Sequence, residues 1–214
     1  MNFVGHIYLS GENERIAIGN FIGDYVKGKG YERYPDDIRK GILMHRDIDA
    51  TVDAHPAFLA TRGLFKESYG RYAGVVVDMA FDHILTKNWN DWHTIPLKRF
   101  TRSFYGLLIR NYRVLPSQVK DFLPFMVQSN RLYSYSSLDG IEKALGIMAK
   151  YTSLPGKQAE AVSIIRNNEA DITQHFNELL GDLSIYINKK YELPVNSKAA
   201  IQIARNCSTD TAKE

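Results

Sequence analysis

One cysteine stands in 214 residues, Cys207, near the end of the chain. A single thiol excludes a disulfide within the chain and a zinc site built on cysteines, and it suits a reducing cytoplasm. In a polar tail it is no credible nucleophile either. No run of 18 or more apolar residues exists, so no membrane-crossing helix is expected. Met1 to Ser10 lack a positive flank and place His6 inside a short apolar run, which does not read as a secretory signal. Neither sign of charge dominates: 27 Lys and Arg face 24 Asp and Glu, a net of +3, too even to point to nucleic acid. Thirteen tyrosines are scattered and form no stacking motif. A Gly-x-Ser-x-Gly elbow and a Walker loop are also missing. Gly28-Lys29-Gly30 is too short for a phosphate loop and has no strand before it. Alternating strands, internal repeats and low-complexity blocks are absent.

What remains is helical periodicity. Ser10 is placed to cap a helix that starts near Gly11 and runs to Lys27, where Gly28 and Gly30 stop it. Pro35 opens a second helix, with Asp36 and Asp37 in its positive first turn, ending by Pro56. Further helices are expected over 57–69, 74–89, 96–112, 117–131 and 138–151, and one long helix over 156–188. The run Val75 to Leu85 is apolar nearly all round, so its helix should be central and buried. The fold class is all-α, a single-domain helical bundle over 1–194. Residues 195–214 should add a short helix and a polar tail.

Chemistry concentrates in a few places. His45, Arg46, Asp47, Asp49 and Asp53 crowd one stretch. On a helix, His45, Asp49 and Asp53 fall four apart and share a face, while Asp47 points elsewhere. Imidazole and carboxylate at that spacing suit a metal or a water prepared for attack. Asp78 and Asp82 interrupt the most apolar helix. Buried carboxylates need compensation. A buried arginine is one answer; a divalent metal shared with His45 and Asp24 is the other. Oxygen-rich ligands with one or two imidazoles suit Mn²⁺ or Mg²⁺. Taken alone, Asp24 reads as a surface residue and His6 as a satisfied core histidine.

Together these pieces carry a resemblance. Asn2-Phe3 with His6, Gly19-Asn20-Phe21 with Asp24 and Val26-Lys27-Gly28, His45-Arg46-x-Ile48-Asp49, and Asp78-x-x-x-Asp82-His83 occur in this order. The set resembles the acyl carrier protein phosphodiesterases, bacterial proteins related to HD-domain metallophosphohydrolases. A weaker echo runs from Tyr135 to Lys150. The His-Asp dipeptide of ordinary HD domains is absent, and Asp82-His83 has the reverse order. The resemblance implies an HD-like fold and a metal-dependent reaction. The phosphodiester joining 4′-phosphopantetheine to a serine of holo-acyl carrier protein would be hydrolysed, with Mn²⁺ or Mg²⁺ as cofactor. It makes His6, Asp24, His45, Asp78 and Asp82 the expected metal group. Arg46 is then expected to contact the phosphate, and Asp49 or His83 to orient the water or protonate the leaving serine. The partner would be the acidic carrier protein, met by Lys27, Lys29 and Arg33, with no nucleic acid and no membrane involved. Two other functions fit the residues: an HD-like hydrolase of a nucleotide or other small phosphodiester, and a non-catalytic helical module whose carboxylates form salt bridges.

Overall fold

The computed structural model describes residues 1–193; the expected short helix and tail beyond 194 lie outside the described residues. Within them the chain is helical throughout, with no strand. The elements are α1 (Phe3–Leu9), α2 (Glu14–Ile22), α3 (Asp36–Ala54), α4 (Pro56–Tyr69), α5 (Ala73–Lys87) and the single turn α6 (Trp89–Trp92). Then come α7 (Leu97–Arg110), α8 (Ser117–Gln128), the single turn α9 (Arg131–Ser134), α10 (Leu138–Tyr151), α11 (Gln158–Asn167) and α12 (Glu169–Tyr191).

The apolar helix is the centre of the bundle, as its pattern requires. Val76, Val77, Met79, Ala80, Phe81, Ile84 and Leu85 of α5 are all buried. Phe81 meets Phe58 of α4 and Phe176 of α12, with ring centroids 6.3 and 5.8 Å away. From α12, Ile172, Leu179, Leu180 and Leu183 close the same core. A core of this size holds its elements by area alone, at about 25 cal/mol for each Å² of apolar surface removed from water.

One crossing sets the position of the site. Where α2 meets α3, a Cβ on Gly19 would stand 2.1 Å from the Ile38 carbonyl oxygen, and one on Gly41 would stand 2.2 Å from that of Ile16. Only glycine permits so close an approach of two backbones. The contact presses the end of α2 against the middle of α3, beside His45.

Three local expectations change. Residues 3–9 form a full helix, α1, with Asn2 accepting from the Phe3 amide. Ser10 does not cap α2; Asn13 does, accepting from the Arg15 and Ile16 amides. Ser10 instead ends α1, its hydroxyl donating to the His6 carbonyl. The long C-terminal helix breaks at Asn168. There the side-chain amide donates to the Ile164 carbonyl and the backbone leaves helical geometry, an asparagine competing with the helix's own hydrogen bonds.

Candidate metal centre

His6 comes from α1, Asp24 from a 3-10 turn directly after α2, and His45 and Asp49 from one face of α3. Gly23 makes the meeting sterically possible, since a Cβ there would lie 2.3 Å from Cγ of His45. The two imidazoles stack with centroids 4.2 Å apart. The Nε2 of His6 lies 3.1 Å from Oδ1 of Asp49, and Nε2 of His45 lies 3.1 Å from Oδ2. Asp24 stands 3.4 Å from the same His45 nitrogen. One donor atom each from His6, His45 and Asp49 falls within 4.8 Å of the others.

Hydrogen bonding fixes the protons of this group. The amide nitrogen of Asn20 donates to the His6 carbonyl and to Ser10 Oγ, at 2.7 and 3.0 Å. Its oxygen must therefore face Nδ1 of His6, 2.8 Å away, and that nitrogen must donate. A neutral His6 then presents an Nε2 lone pair to a carboxylate oxygen. Two acceptors at 3.1 Å repel unless a cation lies between them. Nε2 of His6 and both nitrogens of His45 are buried, and none has a well-aligned hydrogen-bond partner. Orphaned imidazole nitrogens aimed at a shared carboxylate fit a divalent metal. Burial lowers the His6 pKa, and the Asp49 contact only partly opposes it. His45 behaves oppositely. Burial would lower its pKa too, but the Asp24 and Asp49 carboxylates overcome this and push it up to about 9. Asp49 is half-buried; burial would raise its pKa, but the His45 imidazole 3.1 Å away outweighs this and holds it far below the usual carboxylate range.

The assembled group differs from the expected one. Asp49, expected to handle a water or proton, is the carboxylate both imidazoles meet. Asp82, expected at the metal, lies beneath α1, its two oxygens accepting from the Val4 and Gly5 amides at 2.8 and 3.1 Å. A carboxylate against the positive end of a helix is well placed, because the unpaired amides supply the compensation. Even so, burial raises its pKa to about 7. Asp78 pairs with the Met1 amino group at 2.7 Å. His83 is a core residue, its Nδ1 donating to the Tyr135 carbonyl at 2.8 Å, with burial lowering its pKa. Arg46 donates to the Val26 and Gly28 carbonyls, both at 2.8 Å, and lies over the Tyr31 ring. Asp47 turns away to Tyr191 and Lys190. A cavity of about 330 Å³ opens at the cluster, lined by Asn2, Asp24, Asp49, Asp53 and Asp78, among others. Neither Arg46 nor His83 belongs to its wall. The residue that sequence reasoning left without a role is Asn20. An asparagine within the otherwise apolar run Ile16–Ile22 was the available signal; the structure buries it fully.

A family model described as acyl carrier protein phosphodiesterase matches residues 1–183. The chain belongs to that family. It is thereby a phosphoric diester hydrolase. Among curated relatives of that name, the one from Photorhabdus laumondii is 29% identical over 196 residues, covering 90% of this chain and 96% of its own. Those of Yersinia enterocolitica and Escherichia coli O6:H1 are 26% and 27% identical, each covering 84% of this chain and 90% of the relative. No solved structure matches the chain.

Proposed function

We propose that the chain hydrolyses the phosphodiester between 4′-phosphopantetheine and the serine of holo-acyl carrier protein, using a divalent metal held by His6, His45 and Asp49. The observation that carries the metal is the lone pair of His6 Nε2 facing the Asp49 carboxylate. Two imidazoles and one carboxylate favour Mn²⁺ over Mg²⁺, which prefers all-oxygen surroundings. An ion there would polarise a phosphoryl oxygen and lower the pKa of a water. Asp24 stands at the exposed mouth, kept ionised by the His45 contact despite partial burial. It is placed to take a proton from the attacking water. That water adds its hydroxyl to phosphorus, the bond from phosphorus to the serine oxygen breaks, and the proton passes to that oxygen. The relation to HD-domain metallophosphohydrolases belongs to this reading, supported by imidazole and carboxylate ligands drawn from packed helices.

Docking follows from charge. Lys27, Lys29 and Arg33 are exposed on the segment directly after Asp24. At Gly28 the backbone has φ +54°, a conformation only glycine adopts freely. Arg46 holds the carbonyls on either side of Lys27 and so fixes where that charge points. An acidic carrier protein would be drawn to this rim. The test is mass spectrometry of holo-carrier protein after incubation with Mn²⁺ and the enzyme. Loss of the phosphopantetheine mass, blocked by chelator, is expected. An intact holo-carrier alongside cleavage of a nucleotide diester would replace this substrate with another.

A further inference from the structure

A second cavity, of about 370 Å³, adjoins the acidic one and shares Asn2, Asp24 and Met148 with it. Its remaining wall is largely apolar, formed by Phe3, Tyr25, Phe122, Phe125 and Met126 with Ile147. The rings pack as a unit: Phe122 lies 6.4 Å from Phe3 and 5.5 Å from Tyr25. Phe125 is 52% exposed and lines the groove. Polar groups are few. Arg131 and Tyr135 line one end, joined by a 3.3 Å hydrogen bond from the guanidinium to the phenol oxygen. Size, apolar lining and sparse polar groups are those of a small-molecule site.

We propose that this aromatic groove seats the pantetheine arm of the substrate, an inference that rests on the reading above. A phosphodiester bound beside Asp24 must send its two substituents in different directions. The carrier protein is bulky and acidic, and needs the exposed basic rim at Lys27 and Lys29. The other substituent is a slender chain with a gem-dimethyl carbon, a hydroxyl, two amides and a terminal thiol. The acidic cavity, walled by Asp49, Asp53 and Asp78, is the more polar of the two, with Val52 and Val75 as its smaller apolar part. The groove includes Asp24 but none of Asp49, Asp53 and Asp78; its rings suit the chain's gem-dimethyl carbon and methylenes, and Asn2, Arg131 and Tyr135 offer partners for its few polar groups. A further cavity of about 650 Å³ shares Phe125, Arg131 and Ile147 with it.

The experiment compares two inhibitors of holo-carrier cleavage by the Mn²⁺-loaded enzyme, 4′-phosphopantetheine and inorganic phosphate. Burial of the arm should make the first bind at least about tenfold tighter than the second in the wild type. In Phe122→Asp and in Phe125→Asp that preference should fall to about twofold or less. Phe125 is exposed, so its variant keeps the test alive if Phe122→Asp misfolds. A preference near one in the wild type, or an undiminished preference in the folded variants, overturns the groove assignment while holo-carrier cleavage stands. If the wild type leaves holo-carrier protein intact, the substrate reading itself fails, and the inference with it.

Discussion

A metal at the proposed site must compete with a proton at His45. In the metal-free protein its imidazole titrates at about 9, because Asp24 and Asp49 outweigh the effect of burial. Metal binds only the neutral imidazole. Below pH 9, each ion bound therefore expels one proton, and apparent affinity drops about tenfold for each unit of acidification. From pH 8 to pH 6 the loss is about 100-fold. The slope should be one and no more. His6 contributes no proton, since burial lowers its pKa and Asn20 already holds its Nδ1 hydrogen. Asp49 is ionised across this range. Titration calorimetry with Mn²⁺ in buffers of different ionisation enthalpy, at several pH values, counts the protons directly. Release of one proton at pH 7 is expected. A flat affinity between pH 6 and 8, with no proton released, would show that His45 is neutral before metal arrives and would refute the electrostatic account of the cluster.

The other tests are substitutions. Asp49→Ala should lose both metal binding and turnover while keeping its helical circular dichroism, since Asp49 is half-buried; tight Mn²⁺ binding by that variant would sink the ligand assignment. Asn20→Leu should weaken metal binding about 10–100-fold by freeing the His6 ring, the usual effect of removing a ligand's hydrogen-bond partner; unchanged affinity would mean the ring is held by packing alone. Arg46→Ala should raise KM for the carrier protein and leave kcat within about threefold, because Arg46 clasps the Val26–Gly28 backbone; a drop in kcat of about 10²–10³-fold would instead return it to the phosphate. Reversing Lys27, Lys29 and Arg33 to Glu should raise that KM several-fold at low salt and flatten its salt dependence, since such steering is screened beyond about 8 Å at physiological ionic strength. Carrier-protein kinetics that ignore the triple reversal would put docking on another face.

Periodicity carried the fold a long way. The α3 face bearing His45 and Asp49 and the buried α5 both follow from spacing alone, because i and i+4 positions must share a face whatever they pack against. Less could be read where a single side chain decides. Asn13 and Ser10 are both good caps; the structure engages the Ser10 hydroxyl with the His6 carbonyl and Asn20, and Asn13 serves α2. Asn168 breaks a helix that its neighbours would have continued.

The limit shows most clearly at Asp82. A carboxylate in an apolar helix requires a compensating positive charge, and that much is legible in the sequence. The kind of compensation is not. An arginine, a metal ion and a helix N-terminus all meet the requirement, and the last is invisible in a sequence because it is made of backbone amides. Here α1 presents its Val4 and Gly5 amides to Asp82, and a Cβ on Gly5 would come within 3.2 Å of the carboxylate. The same contact anchors α1 on α5, and α1 carries His6. Asp82 thus bears on the candidate metal centre through the helix it holds. Asp49, read as a partner of His45 on spacing, gains its second imidazole because the Gly19–Gly41 crossing packs α2 on α3 while Asn20 of α2 and Asp82 of α5 hold α1.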